Sequence, residues 1–492
     1  MKHTGSDFPI RKEIKRRNTA SMEQVQGSRF VRFFRGKRTE VDMTEGSIFR
    51  HVLQFALPLL LGNVFQQLYN MVDTWVVGNF VGDNAFSAVG TVAPIVNLLI
   101  GFFMGLSSGA GVVISQYYGA KQYDKVKQAV HTALLMTLAL CVVFTVVGVC
   151  MTPLMVRLLG SPADTVAPEQ RQYLSIYFAG IAGLLLYNIG SAILRAIGNS
   201  RLPFVFLVLS ALLNMGLDLL FVLAFGMGVE GVAYATILSQ AISAVLVLWL
   251  LFRTKSCVRV ELKALRIDWQ TLWKIIRVGI PAALQMSITA FSNIFVMNYI
   301  TRFGADVMGG WTAYSKIDLL ALLPMQSVSL ASTTFVGQNL GRGLVERSKK
   351  GVRVSLALAM CSTVLLIIPI VIFAPYVVRI FNQNPEIVRY GTLFLRYISP
   401  FYVLCCFNQV YAGALRGAGN SRAPMIIMLA SFVVFRQIYL YIMWNFVSPT
   451  VLPIAMGYPA GWLVCSVAVF IYYRCTSFSK YRLVEDLPKE TV

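Results

Sequence analysis

The sequence predicts an all-α integral membrane protein, with about twelve transmembrane helices in two six-helix lobes related by a pseudo-twofold axis along the membrane normal. Three observations carry that prediction. The first is composition: 57% of the residues are hydrophobic and 13% charged, too apolar for an ordinary soluble protein. Mostly apolar runs such as 204–225, 233–252 and 352–374 are each about 20 residues long, enough to cross roughly 30 Å of hydrocarbon at 1.5 Å per residue. The second is a long repeat. LRAIGNSRLP at 194–203 returns as LRGAGNSRAP at 415–424, with about seven of ten positions identical roughly 221 residues apart, the mark of a duplicated unit. The third is charge placement. Lys and Arg gather in the N-terminal tail, in loops 121–127, 195–201, 253–277, 342–353 and 416–422, and beyond Arg474. The intervening loops 79–87, 225–231 and 445–453 contain none. This positive-inside pattern puts both termini in the cytoplasm.

The elements follow in order. Residues 1–42 are basic and polar and are expected to form a mostly disordered cytoplasmic tail. Cations alternate with aromatics at 29–38, a composition suited to anionic lipid as well as to a solvated positive-inside flank. Met43 opens a stretch that itself reads as a start, so the tail is expected to be dispensable. An N-lobe bundle over 43–252 holds helices near 52–78, 88–116, 127–150, 171–192, 203–225 and 231–252. A basic cytoplasmic linker spans 253–273. A C-lobe bundle over 274–475 holds helices near 274–300, 309–337, 350–373, 391–413, 424–446 and 453–474, followed by a cytoplasmic tail over 476–492. Further repeat matches pair Pro58 with Pro281, FVGD at 80–83 with FGAD at 303–306, and Gln116 and Gly119 with Gln338 and Gly341. Six helices per unit is an even number, so both units enter the membrane in the same sense, and a cavity is expected between them.

Several function classes are excluded. The net charge of +21 follows membrane topology, so no nucleic-acid partner is expected. The eight cysteines are scattered without metal spacing and read as small buried hydrophobes. No P-loop, kinase signature or HExxH helix is present, so neither an ATP motor nor an enzyme is encoded.

Charged groups inside the hydrocarbon are costly and mark function. Asp73 lies in the outer half of the first helix and Asp218 in the fifth. Asn214 is four residues before Asp218, on the same helix face, and Thr236 follows in the sixth helix. Two carboxylates, an amide and a hydroxyl make an oxygen-rich pocket suited to a proton or a hard cation such as Na+. The alternative is a set of interfacial groups bonded to backbone, which for a helical Thr is common. At the repeat offset Asp73 falls on Val296, and Asp218 on Tyr439 or Leu440, so the acidic pocket is not duplicated. The second half has its own charges, Lys316, Asp318 and Arg436. Arg436 either pairs with Asp318 or lines the cavity. Pro58, about four turns before Asp73, is a kink or a hinge. Gln66, Tyr69, Asn70, Gln285, Met286, Asn293, Met297, Tyr314 and Met325 complete the candidate substrate cavity, although Met and aromatic stripes also serve helix packing. The duplicated loops read as tight turns, with Arg195, Arg201, Arg416 and Arg422 as headgroup anchors or, as the minor reading, as phosphate-binding groups.

These motifs identify a resemblance. Over roughly residues 45–475 the chain resembles the multidrug and toxic compound extrusion (MATE) transporters, and within them the DinF-like branch. The likeness rests on the duplicated layout, on Pro58 with Asp73-x-Trp-Val-Val-Gly, on the paired Gly-Asn-Ser-Arg-x-Pro loops, and on Asn214-x-x-x-Asp218 with Thr236. It implies that Asp73, Asn214, Asp218 and Thr236 form an N-lobe cation or proton site. No acid stands in helix seven or within helix ten, where the NorM branch carries C-lobe ligands. The resemblance implies exchange of protons or Na+ for organic cations, drugs or other amphiphiles by alternating access, with no cofactor besides the coupling ion. The expected partners are a small-molecule substrate and membrane lipid, the expected form a monomer, and the expected location a bacterial inner membrane. The competing reading is a flippase for a lipid-linked precursor. That reading wants a cation-rich cavity for phosphates, and the sequence offers it Lys316, Arg396 and Arg436.

Overall fold

The computed structural model describes residues 40–159 and 164–484, and every regular element among them is helical. The first half contains α1 (Ile48–Val81), α2 (Asp83–Gly119), α3 (Tyr123–Leu159), α4 (Val166–Ala179 and Ile181–Ala196, bent by 46°), α5 (Arg201–Ala224) and α6 (Val229–Arg253). The second contains α7 (Trp269–Thr301), α8 (Ala305–Gly341), α9 (Val345–Ile372), α10 (Pro385–Gly417), α11 (Arg422–Val447) and α12 (Val451–Cys475). The twelve spans match the expected architecture, but several are longer than hydropathy suggests. α2, α3 and α8 have 37 residues each, about 55 Å, and so protrude beyond the hydrocarbon. Hydropathy registers only the apolar middle of a helix. Polar end turns such as the one at Tyr123 carry the same backbone bonding and escape it.

The repeated decapeptide makes the same turn twice. Gly198 and Gly419 adopt φ of 84° and 100°, a left-handed conformation that glycine reaches without a Cβ clash. The next residue caps the following helix: Asn199 Oδ1 accepts the N–H of Leu202 at 3.1 Å, and Asn420 Oδ1 that of Ala423 at 3.2 Å.

The lobes meet closely toward the basic loops. α2 crosses α7 where a Cβ on Gly105 or Gly109 would strike the backbone of Ala283 or Gly279, the small-residue contact that lets membrane helices approach. Beyond it, Gln116 and Gln338 form an exchanged pair. Gln116 Nε2 donates to Gly417 O at 2.9 Å, and Gln338 Nε2 donates to Ala196 O at 2.8 Å. Their Oε1 atoms accept from the segments that flank the bundle, Gln116 from Leu483 N at 2.8 Å and Gln338 from Met43 N at 2.9 Å. A Cβ on Gly119 or Gly341 would meet the backbone of Gln338 or Gln116. This end is sealed.

The segments flanking the bundle belong to the seal. Met43 is buried, and its carbonyl accepts from Arg347 Nη2 at 3.2 Å. Arg482 Nη2 donates to Gly341 O at 2.9 Å, and Phe478 and Val484 are buried. Residues 1–39 and 485–492 of the expected tails over 1–42 and 476–492, including the basic-aromatic patch at 29–38, lie outside the described residues. The linker packs on α3: the N–H of Glu261 donates to His131 Nε2 and that of Asp268 to Thr132 Oγ1, each at 3.1 Å. Asp268 Oδ2 accepts from Thr271 N at 3.0 Å, so α7 begins at Trp269, earlier than the hydropathy boundary at 274.

Candidate cation site and central cavity

In the N-lobe, α1 and α5 lie side by side; a Cβ on Gly62 would touch Leu207 and Phe204. This alignment brings Asp73 opposite Asp218, carboxyl to carboxyl within hydrogen-bonding reach. Asp218 and Asn214 are buried one turn apart. Both oxygens of Asp218, one of Asp73 and both amide atoms of Asn214 lack a hydrogen-bond partner in the protein. Buried polar groups are nearly always satisfied, so this cluster is unusual. Thr236 is buried too, but its hydroxyl donates to Val232 O at 3.0 Å, leaving only its lone pairs for a ligand. Helical π turns at Val77–Val81 and Leu220–Ala224 follow Asp73 and Asp218, a deviation common at functional sites.

Two residues of this site escaped the sequence reading. Tyr173 and Tyr177 of α4 stack with ring centroids 6.3 Å apart, and Tyr173 and Tyr69 lie beside both aspartates. The available signal was a pair of tyrosines four apart, on one face of α4. Behind them stands an apolar cluster that includes Val76, Val77, Phe103, Leu174 and Phe178.

A cavity of about 450 Å³ lies between the lobes, a size suited to a drug-like molecule. Of the candidate cavity residues, Gln66, Tyr69, Gln285, Met286, Asn293, Asp318 and Arg436 line it, together with Pro58 and Asn214. Asn70, Met297, Tyr314, Lys316 and Met325 do not. Lys316 is exposed outside it because it is two residues from Asp318, about 200° around the helix. Tyr314 and Met325 are buried in packing. Tyr314 stands behind Asp318, whose Oδ1 accepts from the hydroxyls of Tyr402 and, at 3.4 Å, Tyr314. Asp318 and Arg436 form no ion pair. Arg436 Nη2 instead donates to Ser292 Oγ and, at 3.0 Å, to Asn293 Oδ1, and its guanidinium lies 4.7 Å from the Tyr458 ring centroid. The reading of the loop arginines needs correction as well. Arg201 and Arg422 are exposed, but Arg195 and Arg416 line the cavity.

The MatE family profile matches residues 58–220 and 281–442, beginning at the repeat-related Pro58 and Pro281. The chain belongs to the MATE family. It is a multi-pass membrane transporter, not an enzyme. Among relatives of this MATE transporter, probable multidrug resistance protein YpnP of Bacillus subtilis (strain 168) is 29% identical over 446 residues, covering 90% of this chain and 99% of its own. A protein named FAD transporter from Shewanella oneidensis is 24% identical over 393 residues, covering 78% of this chain and 85% of its own. A solved multidrug resistance MATE family transporter, described as outward-facing, superposes with a TM-score of 0.84 at 24% identity, covering 89% of this chain and 98% of that one.

Proposed function

We propose that this MATE transporter is a secondary active exporter that exchanges protons or Na+ for amphiphilic organic compounds, with Asp73, Asp218 and Asn214 as the coupling site and Thr236 as an auxiliary oxygen. The observation that carries this reading is the pair of facing carboxyls, three of whose four oxygens are buried without a donor, set against an apolar wall of the N-lobe. Two negative charges that close repel each other, and a proton or a hard cation between them removes the repulsion. The repeat adds support: Val296, the counterpart of Asp73, is buried and apolar, so a role common to both halves does not explain the acid. In this reading both termini and the sealed end face the cytoplasm of a bacterial cell, and the protein acts as a monomer. Cation binding then biases α1, which runs unbroken through Pro58, and Pro58 serves as the hinge. A ligand shifts such an equilibrium only by its differential affinity for the two states.

The test is reconstitution in liposomes under imposed proton or Na+ gradients with a panel of dyes and drugs. Gradient-driven transport is expected to fall at least about tenfold in Asp73→Asn and in Asp218→Asn, the effect of losing roughly 1.4 kcal/mol or more of coupling. Wild-type rates in both variants would overturn the assignment.

A further inference from the structure

We propose that the sealed end of the cavity is a binding site for an anionic head group, of phosphate or carboxylate type, formed by Arg195 and Arg416. The inference rests on the transport reading for the cavity's role and goes beyond it by naming the ligand's chemistry.

Both arginines occupy the second position of the duplicated decapeptide, and both line the cavity. Each precedes a residue whose carbonyl is held by the other lobe's glutamine: Ala196 by Gln338 and Gly417 by Gln116. The exchanged bonds set the two side chains on opposite sides of the pseudo-twofold axis. Arg416 is only 6% exposed, and its Nε has no partner. None of the ion pairs among the described residues includes Arg195, Arg416 or Arg436. A buried cation without a counter-ion is expensive, and the planar guanidinium is shaped to take a phosphate or carboxylate through two parallel bonds.

The acid nearest in role is remote. Asp318 is the one carboxylate among the lining residues, and the hydroxyls of Tyr402 and Tyr314 already serve it. It precedes Gln338 on α8 by about 20 residues, roughly 30 Å along the helix axis. Leu59, Phe204, Leu207 and Leu330 line the same space and suit an apolar tail. A cavity with three arginines and one tyrosine-bound aspartate favours amphiphiles with a negative head over simple organic cations.

The alternative role is local. Both arginines stand in the last turn of a helix, where any cation complements the dipole. Lysine would serve that role equally well and would not recognise an anion bidentately. Binding of dodecyl phosphate and of dodecyltrimethylammonium, matched in chain length, should be measured calorimetrically on the full chain in phosphatidylcholine nanodiscs. The wild type is expected to prefer the phosphate at least about tenfold. Arg195→Gln and Arg416→Gln should each weaken phosphate binding by roughly tenfold or more, as for a lost charged hydrogen bond, and leave the ammonium probe unchanged. Arg416→Lys should melt like the wild type and lose several-fold in phosphate affinity. Equal affinity of the wild type for both probes, or equal losses for both in the Gln variants, overturns the proposal. Asp73→Asn should bind dodecyl phosphate like the wild type even where driven transport fails, so the two readings fail separately. Displacement by butyl phosphate assigns the site to a soluble phosphomonoester, and displacement only by dihexanoyl phosphatidic acid assigns it to a lipid head. Displacement by neither overturns it.

Discussion

Asp73, Asp218, Asn214 and Thr236 form one group in the sequence, with Thr236 already the member most open to a backbone-bonded role, and the atoms separate them. Asn214 has both amide atoms unpartnered, while the Thr236 hydroxyl hydrogen is already engaged by Val232 O. A Thr bonded to its own helix loses little when the hydroxyl is removed, whereas a buried amide with neither atom partnered has no such local role to explain it. Thr236→Val is therefore expected to keep driven transport within about twofold, and Asn214→Leu to lose at least about tenfold, both read as initial rates in liposomes. Equal losses would return Thr236 to full standing in the site. The same scale corrects the cavity. Asp318 and Lys316 are two residues apart and lie on different faces, so one lines the cavity and the other lies outside it.

At the scale of elements, α7 starts on a capped turn and α2 ends against α8. The Asp268 carboxylate is held below its ordinary range by its bonds to Thr271. A depressed pKa means that the cap stabilises above the unfolded value, near 3.8, and that this contribution is lost as pH falls through the lowered one. Asp268→Ala should lower stability by about 1 kcal/mol at neutral pH, with the difference from wild type shrinking below about pH 4 in thermal unfolding of the detergent-purified protein. At the other contact, Gly119→Leu forces a side chain into the Gln338 backbone. Overpacking of this kind costs about 1–3 kcal/mol, and here the cost falls on the sealed state alone. Spin labels at Asp124 and Glu346 are expected to report a wider distance distribution in the variant; an unchanged distribution would show that the contact does not hold the seal.

At the scale of the whole molecule, segments flanking the helices close the bundle. Met43 and Leu483 donate their backbone N–H groups to the repeat-related Gln338 and Gln116, so the first residue of the expected N-lobe and a segment read as the C-terminal tail complete the seal. Removing residues 1–39 should leave transport within about twofold, whereas removing 1–46 takes away one acceptor-filled strap and should open that end, an effect of a few kcal/mol from several lost buried hydrogen bonds. Cysteine-accessibility labelling from the sealed side would separate the two truncations. By itself the sequence determined the membrane class, the twelve spans, the duplication and the acidic residues of one lobe. These are written in composition, in repetition and in the rarity of charge within apolar runs, all of them readable along the chain without its contacts. The tertiary structure alone decided which residues meet. The facing of Asp73 and Asp218 depends on the register of α1 against α5, and Tyr173 joins them through the bend of α4. Arg195 and Arg416 moved from surface turns to the cavity because the lobes exchange glutamine bonds across an axis that no stretch of sequence contains.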